Sequence, residues 1–308
     1  MKAGRVLSLD VFRGLTVAAM VLVNNPGSWR HVYWPLQHAE WHGWTPTDLV
    51  FPFFLFIVGV AIPLGLGRRL EEGASRGGLA LRILATVRRH LRARAVSARG
   101  AELRPGHDPD SRVLQRIAVC YLAAALLFLV SGWRTEVVIA AAAVLGYWAA
   151  LELVPVPGLG AGNLDREGNV AAWLDRLVLG PHIWRIGRVY DPEGILSTVP
   201  AIATTLFGVL AGRLVRSGLG TADTATGLFV GGAVGIGLGL AWEPWLPMNK
   251  ALWTGSYAVF TAGAAWMVLA VGYWLIEVRG RGGGRARSRS WASMRSPSSS
   301  SRRSWRSS

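Results

Sequence analysis

Residues 36–69 read LQHAEWHGWTPTDLVFPFFLFIVGVAIPLGLGRR, and the fold is decided here. From position 46 to 66 the run is apolar and about as long as the 20 residues a helix needs to cross a bilayer, and it closes on Arg68 and Arg69. His38 and Asp48 stand at its mouth. Ionisable groups beside hydrocarbon are costly, so each is a functional candidate until a plainer account covers it. Asp48 has such an account. Thr45, Pro46, Thr47 and Asp48 have the form of a helix start, with Thr at the N-cap, Pro at the first helical position and an acid at the third. A carboxylate there is favoured by the helix dipole, and capping can coexist with catalysis in one side chain. His38 has no comparable structural duty.

Working outward, further apolar runs of membrane length lie at 8–25, 113–131, 135–153, 196–215, 225–242 and 254–276. The expected fold class is all-α, a polytopic transmembrane helix bundle with seven readable spans. Over 308 residues the chain is 51% hydrophobic and only 17% charged, far from the mixed charged surface of a soluble domain. The single cysteine, Cys120, sits inside IAVCYLAAALLFLV, which leaves no disulfide framework and no cysteine metal site. A net charge of +15 would ordinarily suggest nucleic acid, but the surplus is concentrated in two tracts, 88–112 and 279–308. No nucleic-acid partner is expected, and the lipid bilayer is. The glycines of FVGGAVGIGLGL suit close helix packing.

Arginines follow several spans: Arg68 and Arg69, Arg134, Arg213 and Arg216, then Arg279. Such charges collect in cytoplasmic loops. With Lys2 and Arg5 at the amino terminus, a cytoplasmic N-terminus puts His38 on the outer side. No signal-cleavage pattern precedes the first span, which is expected to be retained. The count then fails, because one readable crossing separates Arg69 from Arg134 where two are needed. A helix is missing, and the sequence in its place, ATVRRHLRARAVSARGAELRPGHDPDSR, is arginine-rich and without a membrane period.

The pattern points to a compensated frameshift. Read one base downstream with permissible third bases, RRHLRARAVSARG becomes Val-Val-Ile-Phe-Val-Leu-Gly-Leu-Phe-Leu-His-Gly, the apolar run that the topology lacks. The tail GGGRARSRSWASMRSPSSSS, shifted by two bases, likewise encodes a plausible span. Its alternative is a basic, serine-rich disordered tail that binds anionic headgroups. The organisation expected is thus a transmembrane domain over 1–279, with 88–111 out of frame, and an Arg/Ser-rich tail over 280–308.

Restoring the missing crossing gathers polar residues on the outer side. His38 lies in a Trp-rich loop (Trp29, Trp34, Trp41, Trp44) with His31 and His42 nearby. Three histidines at irregular spacing make no metal site, and none is expected. Membrane-interface belts explain most of the 15 tryptophans; clustered in one outer loop, rings such as Trp41 also suit the apolar face of a sugar. Asn24 and Asn25 end the first span, Gln115 and Arg116 open the third, and Tyr190, Asp191 and Glu193 precede the fifth. Glu243, Asn249, Lys250 and Trp253 precede the seventh. Each alone reads as an anchor or cap; convergence on one face reads as a site. Candidate substrate contacts are Asn25, Trp41, Arg116, Asp191, Glu193, Asn249 and Lys250. On the inner side, Asp10 and Arg13 form an i, i+3 pair. Arg13 with Arg68 and Arg69 could also meet phosphates, although no Walker or dinucleotide glycine motif stands beside them.

Five stretches in order carry a family resemblance: SLDVFRGLTVAAMVLVNNPG, HAEWHGWTPTDLVFPFFLFIVG, VLQRIAVCYL, YDPEGILSTVPAIATTLFGVLAG and PMNKALWTGSYAVFTAG. They resemble the bacterial relatives of the heparan-alpha-glucosaminide N-acetyltransferase family of transmembrane acyltransferases. The likeness runs to about residue 279 except over 88–111, the tract that reads as out of frame.

The resemblance implies an enzyme of a bacterial inner membrane that takes acetyl-CoA as co-substrate from the cytoplasm. It would acetylate the amine of a glucosamine-type sugar or glycan on the outer side, and a homodimer stays open. The family's active histidine falls on His38, and Asp48 occupies the following acidic position. An imidazole of ordinary pKa near 6.5 can take the proton an amine loses as it attacks a thioester. Arg13 and Arg68 are then the candidates for the CoA phosphates. Direct transfer, with the pantetheine arm threading between helices, is preferred to an acetyl-histidine. O-acylation of another glycan or lipid, or solute transport, are the alternatives, though no internal repeat of the transporter kind is visible.

Overall fold

The computed structural model describes residues 6–28, 30–101, 110–180 and 189–280, with only the backbone described for 90–101 and 110–111. Lys2, Arg5, Trp29, the 102–109 part of the arginine-rich tract and the tail from 281 lie outside the described residues. Helices dominate what is described. Their order is α1 (Leu7–Asn24), α2 (Val50–Ile62), α3 (Arg68–Glu71), α4 (Arg76–Ala101), α5 (Asp110–Val130), α6 (Trp133–Leu153), α7 (Val170–Leu179), α8 (Thr198–Arg216), α9 (Thr221–Trp242) and α10 (Gly255–Tyr273). A 3-10 turn over Pro46–Leu49 leads into α2, and a π turn over Pro63–Gly67 joins it to α3, so that Pro46–Glu71 forms one continuous span. Among the described residues seven helical segments are long and apolar enough to cross a membrane, each on an apolar run read from the sequence. The chain is a multi-pass membrane protein.

Contacts at the helix ends fix two ends of the bundle. At one end, the Leu7 N–H at the start of α1 donates to Glu277 Oε1 just after α10 (3.1 Å). Arg216 at the end of α8 donates to the Pro63 carbonyl and to Glu71 (both 2.5 Å). Arg213 grips Glu136 at the start of α6 with both Nε and Nη2 (2.7 and 2.6 Å) and donates to the Ser131 carbonyl after α5. We call this the far end. At the other, Arg116 near the start of α5 meets Pro192 before α8, Tyr147 late in α6 donates to the Leu252 carbonyl, and Tyr257 at the start of α10 donates to the Asp48 carbonyl (2.6 Å). This is the site end.

The long segments alternate between these ends only if α4 is counted as a crossing. It starts beside the far-end Glu71, and its Leu79 and Ile83 share a buried cluster with Phe128 and Leu129 from the last turn of α5, so α4 and α5 run antiparallel. The missing crossing is therefore a helix as written. Ala, Leu and Arg are strong helix formers, which explains a helical backbone through Ala101 without a membrane period.

Between helices in lipid the hydrophobic effect contributes little, and close packing of small residues takes over. A Cβ on Gly59 would lie 2.0 Å from the Thr205 carbonyl oxygen, so α2 and α8 touch backbone to backbone. A Cβ on Gly263 would meet Ile236 N at 2.4 Å, which joins α9 and α10 in the same way. Outward-facing Leu15, Val21, Leu22, Val138 and Val230 are exposed, as lipid-facing residues are.

Candidate active site

The local sequence builds the site before any tertiary contact does. Thr45 accepts the Asp48 N–H and Asp48 accepts the Thr45 N–H in a reciprocal capping box, with Pro46 inside it. Asp48 Oδ2 takes the Thr45 N–H (3.1 Å) and also the Ala39 N–H (3.0 Å), which bends the His38 loop back over the helix start. The Thr45 hydroxyl donates to the Gln37 carbonyl (2.6 Å), and that of Thr47 to the Pro35 carbonyl (2.9 Å). Residues 35–39 are thereby fixed to the mouth of the span.

This leaves Asp48 Oδ1 for His38, whose Nδ1 lies 2.7 Å away. Two bare acceptors at that separation would repel, so the hydrogen-bond network assigns the proton to Nδ1, donated to the carboxylate. Nε2 is then the free base. The His38 side chain is 52% exposed and that of Asp48 only 1%, so a buried carboxylate orients an accessible imidazole. The Lys250 ammonium completes the group: it donates to Asp48 Oδ1 (3.2 Å), and with the proton on Nδ1 its 3.0 Å approach to that nitrogen sets two donors side by side rather than forming a hydrogen bond. Burial lowers the Lys250 pKa, with Asp48 and Glu193 opposing.

A second cluster adjoins the first. Arg112 pairs with Asp191, whose Oδ1 accepts the Glu193 N–H (3.1 Å). Arg116, buried, donates to the Pro192 and Gly194 carbonyls (2.9 and 3.4 Å) and to the Ser197 hydroxyl, and stacks 5.1 Å from the Trp253 ring. From α7, Asp175 Oδ1 accepts the Ile195 N–H (2.9 Å) and Arg176 donates to the Val189 carbonyl (2.8 Å). The strap 189–197 is thus gripped from two helices. Burial raises the Glu193 carboxyl, with Asp191 adding to it and Arg116, Lys250 and Arg112 opposing. Burial also pushes the Asp175 carboxyl up to about 6, reinforced by Asp191 and opposed by the Ile195 N–H and the charges of Arg116 and Arg176.

The remaining residues singled out in the sequence divide. Trp41 donates to the Leu164 carbonyl (3.0 Å), meets Tyr190 edge-on at 5.2 Å and lies under Arg166 (5.4 Å), tying the His38 loop to the loop before α7. Asn249 is buried and shapes the turn that carries Lys250, its Oδ1 accepting the Leu252 N–H (2.9 Å). Asn25 is exposed, and its amide donates to Val21 in its own helix. Arg13 pairs with Asp10 (3.7 Å) and Arg68 with Glu72 (3.5 Å), both at the far end of the bundle, opposite His38. Sequence reasoning passed over Asp175, Arg112 and Tyr257. Of these only Asp175 had a signal, an acid among the apolar residues that α7 buries at Val170, Ala171 and Ala172.

The architecture is therefore a multi-pass helical membrane protein with an oriented imidazole at one end. No family model matches the chain. It is similar to heparan-alpha-glucosaminide N-acetyltransferase of Homo sapiens, 29% identical over 335 aligned residues that cover 90% of this chain and 49% of the relative. The Mus musculus protein of the same name is 28% identical over 340, covering 90% and 50%. The chain spans about half the length of the curated relatives it matches. Both are named N-acetyltransferases, the family that the five sequence stretches resemble.

Proposed function

We propose that this chain is a membrane N-acetyltransferase that moves an acetyl group from acetyl-CoA to the amine of a glucosamine-type sugar or glycan, with His38 as the general base. The observation that carries the reading is the 2.7 Å contact between His38 Nδ1 and Asp48 Oδ1, which leaves Nε2 open on an accessible ring. As the amine nitrogen bonds to the thioester carbon, Nε2 takes the amine proton. The C–S bond then breaks, and the imidazolium returns the proton to the sulfur. Asp48 orients the ring and offsets its transient charge. Trp41, Asn25, Arg116, Asp191, Glu193 and Asn249 form or brace the acceptor side.

The donor enters from the far end, the cytoplasmic side in a bacterial inner membrane with the amino terminus inside, where Arg13 and Arg68 meet the CoA phosphates. From Arg68 to Asp48 the span rises roughly 30 Å, a distance the acetyl-bearing arm covers within the protein. Phe51, Trp253 and Tyr257 pack edge to face beside Asp48 and form the last barrier on that route. We favour direct transfer over an acetyl-histidine.

The alternation of helix ends also supports an apolar α4 in the native gene. Arg88, Arg89, Arg92, Arg94 and Arg99 fall from its midpoint onward. An arginine at the centre of a membrane helix costs about 2.5–3.5 kcal/mol on insertion scales, so Arg88 and Arg89 at the midpoint of α4 oppose its insertion as written. We infer that 88–111, and the tail from 280, are read out of frame; resequencing the gene tests this, and an unbroken frame as written contradicts it.

The function is tested in vesicles with acetyl-CoA on one side and glucosamine on the other, using the chain as printed and the frame-restored chain. N-acetylglucosamine is expected on the acceptor side. No CoA release from either chain contradicts the proposal.

A further inference from the structure

Lys250 does more than balance a buried carboxylate. Its ammonium lies 3.0 Å from the His38 ring nitrogen and 3.2 Å from Asp48 Oδ1, touching both members of the pair. The turn that carries it is heavily determined. The Asn249 N–H donates to Thr254 Oγ1 (3.0 Å), Thr254 Oγ1 donates to the Pro247 carbonyl (2.9 Å), the Trp253 N–H donates to the Lys250 carbonyl (3.2 Å), and the Gly43 N–H donates to the Met248 carbonyl (2.7 Å). The last of these fastens the turn to the loop that carries His38. Trp253 holds a left-handed backbone, φ 55°, with its indole N–H on Thr204 Oγ1 (3.1 Å) and Arg116 over its ring. A bulky residue is held there only where its surroundings over-determine it. This framework places one cation against one imidazole.

The consequence follows from Coulomb's law and does not depend on which ring nitrogen carries the proton. Beside the ammonium a neutral imidazole carries no net charge, whereas an imidazolium adds a second positive charge at hydrogen-bond distance. Asp48 favours the imidazolium, and Lys250, sharing the same carboxylate oxygen, offsets that pull. Among the described residues, the charged groups facing the pair are Lys250 itself and, through Lys250, Glu193 from the strap before α8.

Resting on the reading of His38 as the base, we propose that Lys250 is a charge-setting positioning residue: it disfavours the imidazolium, keeps the ring free to accept the amine proton as the solution becomes more acidic, and drives that proton on to the departing thiolate sulfur.

The test needs no catalysis. Diethyl pyrocarbonate modifies the unprotonated imidazole, and peptide mass spectrometry reads the extent at His38 as a function of pH. In Lys250→Met or Lys250→Gln the pH of half-reaction is expected to rise by about one unit, while Lys250→Arg, which keeps the charge, stays near the wild type. The acid limb of kcat/KM for acetyl transfer moves in parallel. Coincident profiles for wild type, Lys250→Met and Lys250→Gln overturn the assignment even if all three transfer acetyl groups. A shifted profile in protein that transfers none upholds the assignment of Lys250 and rejects the proposed function instead.

Discussion

Asp48 presents one carboxylate oxygen to His38 at 2.7 Å and turns the other to the backbone of its own helix start, at 3.1 Å from the Thr45 N–H. One side chain both begins the span and aims the imidazole, so the two roles can be separated by mutation. Asp48→Asn keeps one acceptor oxygen but cannot serve both partners, and acetyl transfer is expected to fall roughly 10²–10⁴-fold. Thr45→Ala removes a capping hydroxyl while leaving His38 and Asp48 in contact; it is expected to cost about 1 kcal/mol of stability and only a few-fold in rate. Thermal melting in detergent alongside the acetylation assay separates the two.

Gly59 and Gly14 give opposite expectations. A Cβ at Gly59 would fall 2.0 Å from the Thr205 carbonyl oxygen, whereas one at Gly14 meets nothing within 4 Å. Gly59→Val is expected to destabilise the bundle by about 1–3 kcal/mol or more. Gly14→Ala is expected to be neutral or stabilising by up to about 1 kcal/mol. Melting temperatures of the two variants check the close approach of α2 and α8.

Asp175 predicts a pH dependence of definite sign. Its carboxyl is raised by burial to about 6 in the folded protein, from the ordinary 3.8. Between those values the folded state binds more protons than the unfolded one, so this group's contribution to stability falls as pH rises from 3.8 through 6. Asp175→Asn keeps an oxygen for the Ile195 N–H and removes the titration. The difference in melting temperature, variant minus wild type, is expected to grow over that interval and level off above it. A difference independent of pH would contradict the assignment.

Trp41 joins the His38 loop to the loop before α7 through Leu164 and Arg166, and to the strap before α8 through Tyr190. Trp41→Ala is expected to raise the acceptor KM several-fold and to expose the 154–169 segment to protease, and Trp41→Phe, which keeps the edge contact with Tyr190, to do less of both. Limited proteolysis and acceptor titration measure the two effects.

The apolar runs were legible because membrane helices announce themselves by length and composition, and His38 and Asp48 were legible because charge at the mouth of such a run stands out. The capping role of Asp48 could also be read, since Thr45, Pro46 and Asp48 are local. Lys250 could be placed on the right face but not against His38, 212 positions away, because only the fold decides which of several outer loops meet. Asp175 left one sign, an acid beside Val170, Ala171 and Ala172, but on a short amphipathic helix an acid ordinarily reads as solvent-facing. Arg13 and Arg68 lie at the end opposite the site, and each has a neighbouring acid, Asp10 and Glu72, that the sequence spacing already supplied. The α4 crossing was demanded by charge bookkeeping and concealed by arginine.

As the proposed base, the His38 imidazole has to take the amine proton for acetyl transfer to proceed. The most direct test is CoA release from acetyl-CoA in the presence of glucosamine by purified wild-type and His38→Ala protein of matched stability. Release by the wild type and a loss of at least about 10²-fold in the variant are expected; release at the wild-type rate from His38→Ala rules the imidazole out as the base.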